Sequence, residues 1–275
     1  MYEAKRDNLL GSRDGGDSGV LELVINVIII TITVILMSVL CVKTFWFTPF
    51  NISGTSMEPT IQNGDWVLAD KLASPKLSDV VIVFNSHKSS DNEIIKRVVG
   101  MPKDTVYYDK NGYLYEVETD SDGKALTTMS GKTLYRLKKD DYGYFAANKP
   151  EYYLSLTRVK VEDIGSDVIV RAGEYSGKIG RIKSIRGDTV ACVEMAISGE
   201  VVSAEIECKY FWVLKEDKII IKNLAADEYF VFGDNRDVSS DSRRYGAFKT
   251  DEIIGVVHKW IIDNRKSSGW VYKYL

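Results

Sequence analysis

A predominantly apolar stretch from Leu23 to Val42 is the strongest pattern in the sequence. It contains no charged residue, and about 20 helical residues at a rise of ~1.5 Å each cross a hydrocarbon core of ~30 Å. The stretch therefore predicts a transmembrane helix over residues 23–44. A cleaved signal peptide is the alternative, but its apolar region is only ~7–15 residues long and ends at small residues. Here the longer stretch is followed by residues typical of a membrane interface, Lys43, Phe45, Trp46 and Phe47.

Positive charges are distributed unevenly on the two sides of this stretch. The tail, residues 1–22, carries Lys5, Arg6 and Arg13, whereas the segment just after the helix carries only Lys43. Cytoplasmic flanks of membrane helices are enriched in Lys and Arg. The pattern predicts a single-pass protein of the plasma membrane whose N-terminus is cytoplasmic and whose remaining chain is extracellular.

Short apolar runs bounded by Gly, Pro, Asn and Asp follow the helix. Runs of Val, Ile, Tyr and Phe between turn residues predict β-strands. Long stretches with a helical period are absent beyond the anchor, so we expect a mainly β fold with a few short helices. The predicted strands include DWVLAD, DVVIVF, EIIKRVVG, TVYY, YLYEVE, KIIIKNL, YFVFGD and EIIGVVHKWII.

Residues 109–225 differ in composition from the sequence on either side. They carry NG, DG and SG turns and many charges. We interpret 109–225 as an inserted β-rich subdomain that interrupts a β domain formed by residues 45–108 and 226–275. Within it, the alternating segment GRIKSIRGDTVACVEMAISGEVVSAEIE predicts a small twisted sheet or an SH3-like barrel.

Charge and cysteine content narrow the possible functions. The formal net charge of −3 and the lack of a long basic block argue against a nucleic-acid partner. Cys41, Cys192 and Cys208 show neither a CxxC spacing nor a nearby histidine cluster, so we predict no metal site and no cofactor. Cys192 and Cys208 flank a possible hairpin, and the sequence leaves open whether they form a disulfide or are two buried thiols.

A serine-containing segment, SGTSMEPT at residues 53–60, stands between the anchor and the first predicted strand. Gly54 lets the backbone approach a substrate closely. On such a bend Ser56 can present its hydroxyl to a carbonyl carbon while its own N–H faces the developing oxyanion. Alone this pattern is weak, because a serine in a turn is structural far more often than catalytic.

Two further segments follow in order: IIKRVVGMPKD, in which Lys96 lies 40 residues after Ser56, and GDNRDVSSDSRRYG near the C-terminus. Together the three segments resemble the ordered motifs of the bacterial type I signal peptidases, also called leader peptidases, of peptidase type S26. The resemblance covers the anchor, residues 45–108 and residues 226–275. It implies a β catalytic domain and a serine endopeptidase with Ser56 as nucleophile and Lys96 as general base.

A lysine base fits the residues that are present. Only His87 and His258 are available and neither lies in a motif, so a Ser-His-Asp triad has no obvious histidine. A lysine serves as base only when neutral, and the pKa of a free lysine is ~10.4. Burial removes water from the ammonium group and lowers this pKa, although a solvated strand lysine is the commoner case in general. The residues around Lys96 are apolar: Ile94, Ile95, Val98 and Val99.

The resemblance implies that the third motif, GDNRDVSSDSRRYG, supports the dyad. In the family, the serine six residues after the motif glycine, here Ser239, bonds the lysine ammonium, and the residues here numbered Asp241 and Arg243 brace the site by ion pairing. A carboxylate touching Lys96 would raise the pKa of the base. We therefore expect Asp241 to pair with an arginine. Arg97 should point away from Lys96 by strand alternation and form structural contacts.

The sequence departs from the family pattern at a few positions. Some relatives carry an oxyanion-hole serine where this chain has Gly54, so the hole must use the Ser56 N–H and a second donor that the sequence does not identify. The usual Pro-Gly-Asp is here Pro102-Lys103-Asp104. Eukaryotic relatives have histidine in place of Lys96, which favours the bacterial branch.

The implied substrates are exported preproteins whose signal peptides are held in the lipid bilayer, close to the secretion translocon. Cleavage is expected after a small residue in an Ala-x-Ala pattern, which requires shallow apolar pockets. By family position, the residues that could line these pockets or could equally be core are Phe50, Ile52, Met57, Ile61, Val67, Ile94 and Ile95.

Other interpretations remain open at this point. LexA-type self-cleaving proteases also use a Ser-Lys dyad on a β fold, but they are soluble DNA binders, and the transmembrane stretch and the GDNR segment argue against them. An inactive family member acting in membrane assembly is a second alternative. A peptidase specialised for pilins or spore-coat proteins would use the same chemistry.

Overall fold

A long N-terminal helix, α1, contains the apolar stretch of the sequence. The structure is a computed structural model that describes residues 15–86 and 93–262, and side chains within residues 19–42, 46–86 and 93–257. Helix α1 spans Gly15–Phe45, and its segment Gly19–Val42, which contains an 18-residue stretch with a mean hydropathy of 2.9, is long and apolar enough to cross a bilayer. The predicted residues Lys5, Arg6, Arg13 and His87 lie outside the described residues.

Three hydroxyl side chains within α1 are hydrogen-bonded by the helix itself. The hydroxyls of Thr31, Thr33 and Ser38 each donate a hydrogen bond of 2.8 Å to the carbonyl four residues earlier. In hydrocarbon a polar group needs such an internal partner, since no water is available. Every side chain described between residues 19 and 42 is exposed, as expected of a helix whose apolar surface faces lipid.

The remaining chain is mainly β, as predicted. In chain order the strands are β1 (Phe47–Asn51), β2 (Trp66–Asp70), β3 (Val80–Phe84), β4 (Glu93–Gly100), β5 (Thr105–Tyr108), β6 (Leu114–Val117), β7 (Tyr135–Leu137), β8 (Tyr153–Ser155), β9 (Asp167–Val170), β10 (Ile179–Arg186), β11 (Val190–Ile197), β12 (Glu200–Glu207), β13 (Phe211–Leu214), β14 (Ile220–Asn223), β15 (Glu228–Phe232), β16 (Phe248–Lys249) and β17 (Ile253–Ile262). A one-turn helix, α2 (Ser242–Tyr245), follows β15, and short 3₁₀ turns occupy four further positions of the described chain.

A seven-stranded sheet joins the two ends of this β region. Its strand order is β1-β2-β17-β3-β4-β15-β16, so β17 lies between β2 and β3, and β15 lies beside β4. The pairings of β17 with β2 and β3, and of β4 with β3 and β15, are antiparallel. Residues 45–108 and 226–262 therefore contribute to one sheet, although more than a hundred residues separate them in the sequence.

Both faces of the central strands are buried. On β3, Val80 and Ile82 belong to one apolar cluster, while Val81 and Val83 belong to another. A strand covered on both sides is a continuous apolar run, which is the pattern VVIVF shows in the sequence. This double burial makes β3 and its neighbour β4 the rigid centre of the sheet.

The segment 109–225 forms most of two other sheets. Strands β8 to β13 build a six-stranded sheet in the order β12-β11-β10-β9-β13-β8, and the segment predicted as a twisted sheet supplies β10, β11 and β12. Strands β14, β5, β6 and β7 form a four-stranded sheet, in which β5 precedes the segment and pairs with β14 at its end. Residues from Pro49 onward form one compact unit, and the division into a catalytic domain and an inserted subdomain stays a prediction.

The cysteines are free in this structure. Cys208 is buried and donates from its thiol to the Thr157 carbonyl at 3.2 Å, while Cys192 is partly buried. Of the two interpretations that the sequence left open, the structure has the separate thiols.

Candidate active site

Ser56 lies in the loop between β1 and β2, and buried apolar side chains of this loop anchor it to the core. Met57 and Ile61 are 1% and 0% exposed, and the Ile61 N–H donates to the Met57 carbonyl at 3.0 Å. Gly54 has φ of +103°, a conformation that favours glycine, and its N–H donates to Asn63 Oδ1 at 3.0 Å. The loop therefore presents a partly exposed Ser56 on a fixed bend.

Lys96 reaches Ser56 from the middle of β4. Its Nζ lies 2.8 Å from Ser56 Oγ and 2.6 Å from the Ile95 carbonyl oxygen. Lys96 is 3% exposed and pairs with Val81 of the buried strand β3. The structure thus brings together the two residues that the motif resemblance implies as a dyad, with the lysine withdrawn from water.

Arg97, the next residue of β4, makes a buried ion pair that includes the third motif. Its Nε and Nη2 donate to the two oxygens of Asp234 at 2.8 and 2.7 Å, and its Nη1 donates to the Ser78 carbonyl at 2.8 Å. Both partners are almost fully buried, and the guanidinium lies 3.7 Å from the ring centre of Tyr142. The pair is bidentate, a geometry that arginine provides and lysine does not.

The third motif also contacts the backbone of the serine loop. The N–H of Asn235 donates to the Ser56 carbonyl at 3.0 Å, and Asn235 Nδ2 donates to the Thr55 carbonyl at 3.2 Å. A Cβ atom on Gly233 would lie 2.5 Å from the Ser56 carbonyl oxygen and even closer to the Ser239 hydroxyl. Only glycine permits this approach, so the motif glycine is required for space.

Asp241 and Arg243 form the ion pair expected at the end of this motif. Asp241 is fully buried and caps α2 by accepting from the Arg243 N–H, and the Arg243 side chain donates to both of its oxygens at 2.9 Å. Asp241 also accepts from the Gly233 N–H at 3.0 Å. The carboxylate therefore pairs with arginine and at the same time fixes the glycine that faces Ser56.

Ser239 lies beside the dyad without the bond expected of it. Its hydroxyl oxygen is buried against Gly233 and makes no hydrogen bond within the part of the chain that the structure describes. The expected bond from Ser239 to Lys96 is therefore not formed in this structure, because the hydroxyl packs against the glycine backbone. Its supporting role stays a prediction.

A groove of about 690 Å³ runs beside Ser56 and Lys96. Four of the predicted pocket residues line it: Phe50, Ile52, Ile94 and Ile95. Outside residues 50–56, five further lining residues were not predicted from the sequence, three on β3 or β4 and two in the third motif: Ile82, Phe84, Glu93, Val238 and Ser240.

Three predicted pocket residues belong to the core instead. Met57, Ile61 and Val67 are at most 2% exposed, do not line the groove, and pack in the cluster beneath the serine loop. The sequence left open whether these residues line a pocket or are core, and the structure has them in the core. They are apolar because they anchor the loop and β2.

Arg236 ties the third motif to the segment 109–225. Its guanidinium lies 2.7 Å from Asp140 and donates to the Gly112 carbonyl at 2.7 Å. The side chain is almost fully buried, and burial lowers the pKa of the guanidinium, while the Asp140 carboxylate acts in the opposite direction. Residues of the segment therefore contribute to the surroundings of the site, which its sequence did not indicate.

Comparisons with known proteins agree with the motif resemblance. The family model described as "Signal peptidase, peptidase S26" matches residues 24–261. The chain is 29% identical to signal peptidase I of Aquifex aeolicus, with 82% of this chain and 80% of the relative covered. It is 27% identical to signal peptidase IB of Staphylococcus aureus, covering 83% and 85%, and 25% identical to signal peptidase I of Streptococcus pneumoniae, covering 78% and 81%.

The buried pair of Arg97 and Asp234 generates a stability prediction. Asp234→Asn leaves the Arg97 charge buried without its counter-charge and should lower the free energy of unfolding by about 3–5 kcal/mol. Glu205→Gln, which breaks the exposed pair with Arg186, is the matched control and should cost less than about 1 kcal/mol. Chemical denaturation of both variants measures the difference, and equal losses would contradict the assigned importance of the buried pair.

Proposed function

The chain belongs to the signal peptidase family, peptidase S26, and on that premise we propose that Ser56 and Lys96 form its catalytic dyad. As a member of this family it is a serine endopeptidase, a hydrolase that removes signal peptides from preproteins. Family membership also decides against a LexA-type repressor. The observation that carries the assignment of the dyad is the 2.8 Å separation of Lys96 Nζ and Ser56 Oγ.

The proposed mechanism begins with a neutral Lys96. Its amine takes the proton of the Ser56 hydroxyl while Ser56 Oγ attacks the carbonyl carbon of the scissile bond, giving a tetrahedral oxyanion. The resulting ammonium returns the proton to the leaving amine as the C–N bond breaks, which leaves an acyl-enzyme. Lys96 then activates a water molecule that hydrolyses the ester and restores the Ser56 hydroxyl.

Burial supports this role for Lys96. An ammonium that is 3% exposed loses most of its hydration, which favours the neutral amine. The nearby motif carboxylates bind arginines, Asp234 to Arg97 and Asp241 to Arg243. Their charges are thereby offset before they act on the lysine.

The oxyanion is proposed to be stabilised by the Ser56 N–H. The Thr55 carbonyl, which belongs to the same peptide group as this N–H, accepts from Asn235 Nδ2 at 3.2 Å, so the orientation of the group is restrained. Preorganised donors of this kind supply a large part of the stabilisation in acyl transfer. Gly54 has no hydroxyl to contribute, and a second donor is not assigned.

The groove supports a preference for small residues in an Ala-x-Ala pattern. The apolar side chains of Ile52, Ile94 and Ile95 are less than 9% exposed, so they form a closely packed floor. A small side chain fits such a floor, whereas a larger one would have to displace packed atoms. Ser239 is proposed to orient Lys96 during the reaction, and Asp241 with Arg243 to brace the motif.

The cellular setting is likewise proposed from the anchor. Helix α1 would hold the protein in the plasma membrane with its N-terminus in the cytoplasm, and the catalytic unit would lie outside, near the secretion translocon. Substrates there are preproteins whose signal peptides are still in the bilayer. We propose 109–225 as an insertion into the catalytic domain of 45–108 and 226–275.

Ser56→Ala and Lys96→Ala should each lower kcat by roughly 10⁴-fold or more, because each removes one half of a unit that works together. Cleavage of a preprotein with an Ala-x-Ala site, located by mass spectrometry, measures the loss. Lys183→Ala, in which an exposed lysine paired with Glu194 is removed, is the matched control and should cleave normally. Substantial cleavage by either dyad variant would exclude the assignment.

The pH dependence tests the neutral lysine. In the wild type, kcat/KM should rise with pH through an apparent pKa well below the ~10.4 of free lysine, because the base acts only when deprotonated. Lys96→Arg keeps the positive charge, but a guanidinium does not lose its proton in this range. This variant should be inactive at every pH, and activity that returns at high pH would contradict the proposal.

Specificity should change with the floor of the groove. Ile95→Ala enlarges the space beside Ser56 and should raise cleavage of preproteins that carry valine in place of the alanine before the cut. Val67→Ala removes an equally buried apolar group from the core and should lower the unfolding temperature without changing the preference. A library of cleavage-site variants measures both, and identical preferences in the two variants would argue against a floor formed by Ile95.

A further inference from the structure

The segment 140–148 lies against the third motif and makes several kinds of contact with it. It belongs to the region 109–225, whose sequence carries no catalytic motif. Its contacts are concentrated on residues 234–237, the part of the motif that also touches the serine loop. This arrangement connects the region 109–225 to Ser56.

The Asp237 carboxylate receives three hydrogen bonds from the segment. One oxygen accepts from the backbone N–H groups of Ala146 and Ala147 at 2.8 and 3.0 Å. The other accepts from Asn148 Nδ2 at 2.6 Å. Hydrogen bonds to a charged acceptor are stronger than neutral ones, so a single side chain fixes three consecutive residues of the segment.

Backbone pairing adds a second connection. The Tyr144 N–H donates to the Asp234 carbonyl at 2.6 Å, and the Arg236 N–H donates to the Tyr144 carbonyl at 3.0 Å. These two bonds place Tyr144 beside Asn235 as a parallel bridge. The ion pair of Arg236 and Asp140 lies at the other end of the same contact.

Asn235, enclosed by these contacts, holds the serine loop. Its N–H and its side-chain amide donate to the carbonyls of Ser56 and Thr55. A displacement of Asn235 would therefore move the peptide group of Ser56 relative to Lys96, which is fixed in β4. In a site that depends on a 2.8 Å separation, small displacements reduce the rate of the chemical step.

We propose that the segment 140–148, held by the three hydrogen bonds of the Asp237 carboxylate, keeps Asn235 in place and through it positions Ser56. Asp237 and Asn148 are then positioning residues for the reaction. The inference rests on the proposed dyad and extends it to the region 109–225. The region then acts on the chemical step and not on the binding of substrate, because no residue of the segment lines the groove.

Removal of the Asp237 carboxylate tests the proposal. Asp237→Ala leaves the Ala146 and Ala147 N–H groups and the Asn148 amide without this acceptor and should lower kcat roughly 10- to 100-fold with KM changed less than about twofold. Asp237→Asn keeps an acceptor oxygen for Ala146 and Ala147, and its amide can donate to the side-chain oxygen of a rotated Asn148. This conservative variant should keep most of the wild-type kcat.

Preprotein cleavage by the detergent-solubilised full chain measures all variants, with Asp188→Asn, which alters an exposed pair in the same region, as the control. Wild-type kcat in Asp237→Ala, a change confined to KM, or a loss of the same size in Asp237→Asn would each overturn the proposal. If Asp237→Ala does not fold, Asn148→Ala decides: a fall in kcat at constant KM supports positioning, and an unchanged kcat refutes it. Failure of the wild type to cleave would instead refute the proposed function.

Discussion

The 2.8 Å approach of Lys96 Nζ to Ser56 Oγ is the constraint on which the surrounding structure depends. The two residues are held in different ways. Lys96 belongs to β4, which is paired on both sides, so the sheet itself fixes its position. Ser56 lies in a loop without such a ladder, and its position depends on the buried Met57 and Ile61 below it and on Asn235 beside it. The third motif thus supplies for the serine the rigidity that the sheet supplies for the lysine.

Three aspartates in or beside the third motif each bind an arginine: Asp234 binds Arg97, Asp241 binds Arg243, and Asp140 binds Arg236. A guanidinium keeps its proton at any pH at which the protein works, so these pairs persist over that range. At Asp234 and Asp241 the arginine binds both carboxylate oxygens. A lysine would be a weaker partner there, because an ammonium lacks the planar fork that binds two oxygens at once. The pairs thereby hold the backbone in place, and in the proposed mechanism they leave the role of base to Lys96.

The sequence allowed the strands and the dyad to be predicted, but not the way in which they are assembled. The run VVIVF indicates a buried strand, yet its side chains do not reveal that β17 enters the sheet beside it. The backbone contacts could not be predicted either. Tyr144 binds the third motif through its backbone N–H and C=O, which nearly all residue types carry, so the residue type gives no signal. Apolar residues of the groove could not be recognised, because Ile95 and Val67 belong to one buried cluster and only the assembled structure shows that Ile95 borders the groove. Motifs made Ser56 and Lys96 predictable because chemistry restricts the residue type at those positions.

The region 109–225 enters and leaves the catalytic unit through paired strands, β5 and β14. Because its two ends are neighbours, the long connection adds little strain to the sheet that it interrupts, and loop-closure cost grows only slowly with length. Such a region could be a passive addition if it touched only those two strands. It also contributes Leu114 and Leu224 to an apolar cluster that contains Tyr108 of β5 and Phe230 and Phe232 of β15. Since β15 leads directly into the third motif, the region supports the strand that delivers this motif as well as the loop that follows it.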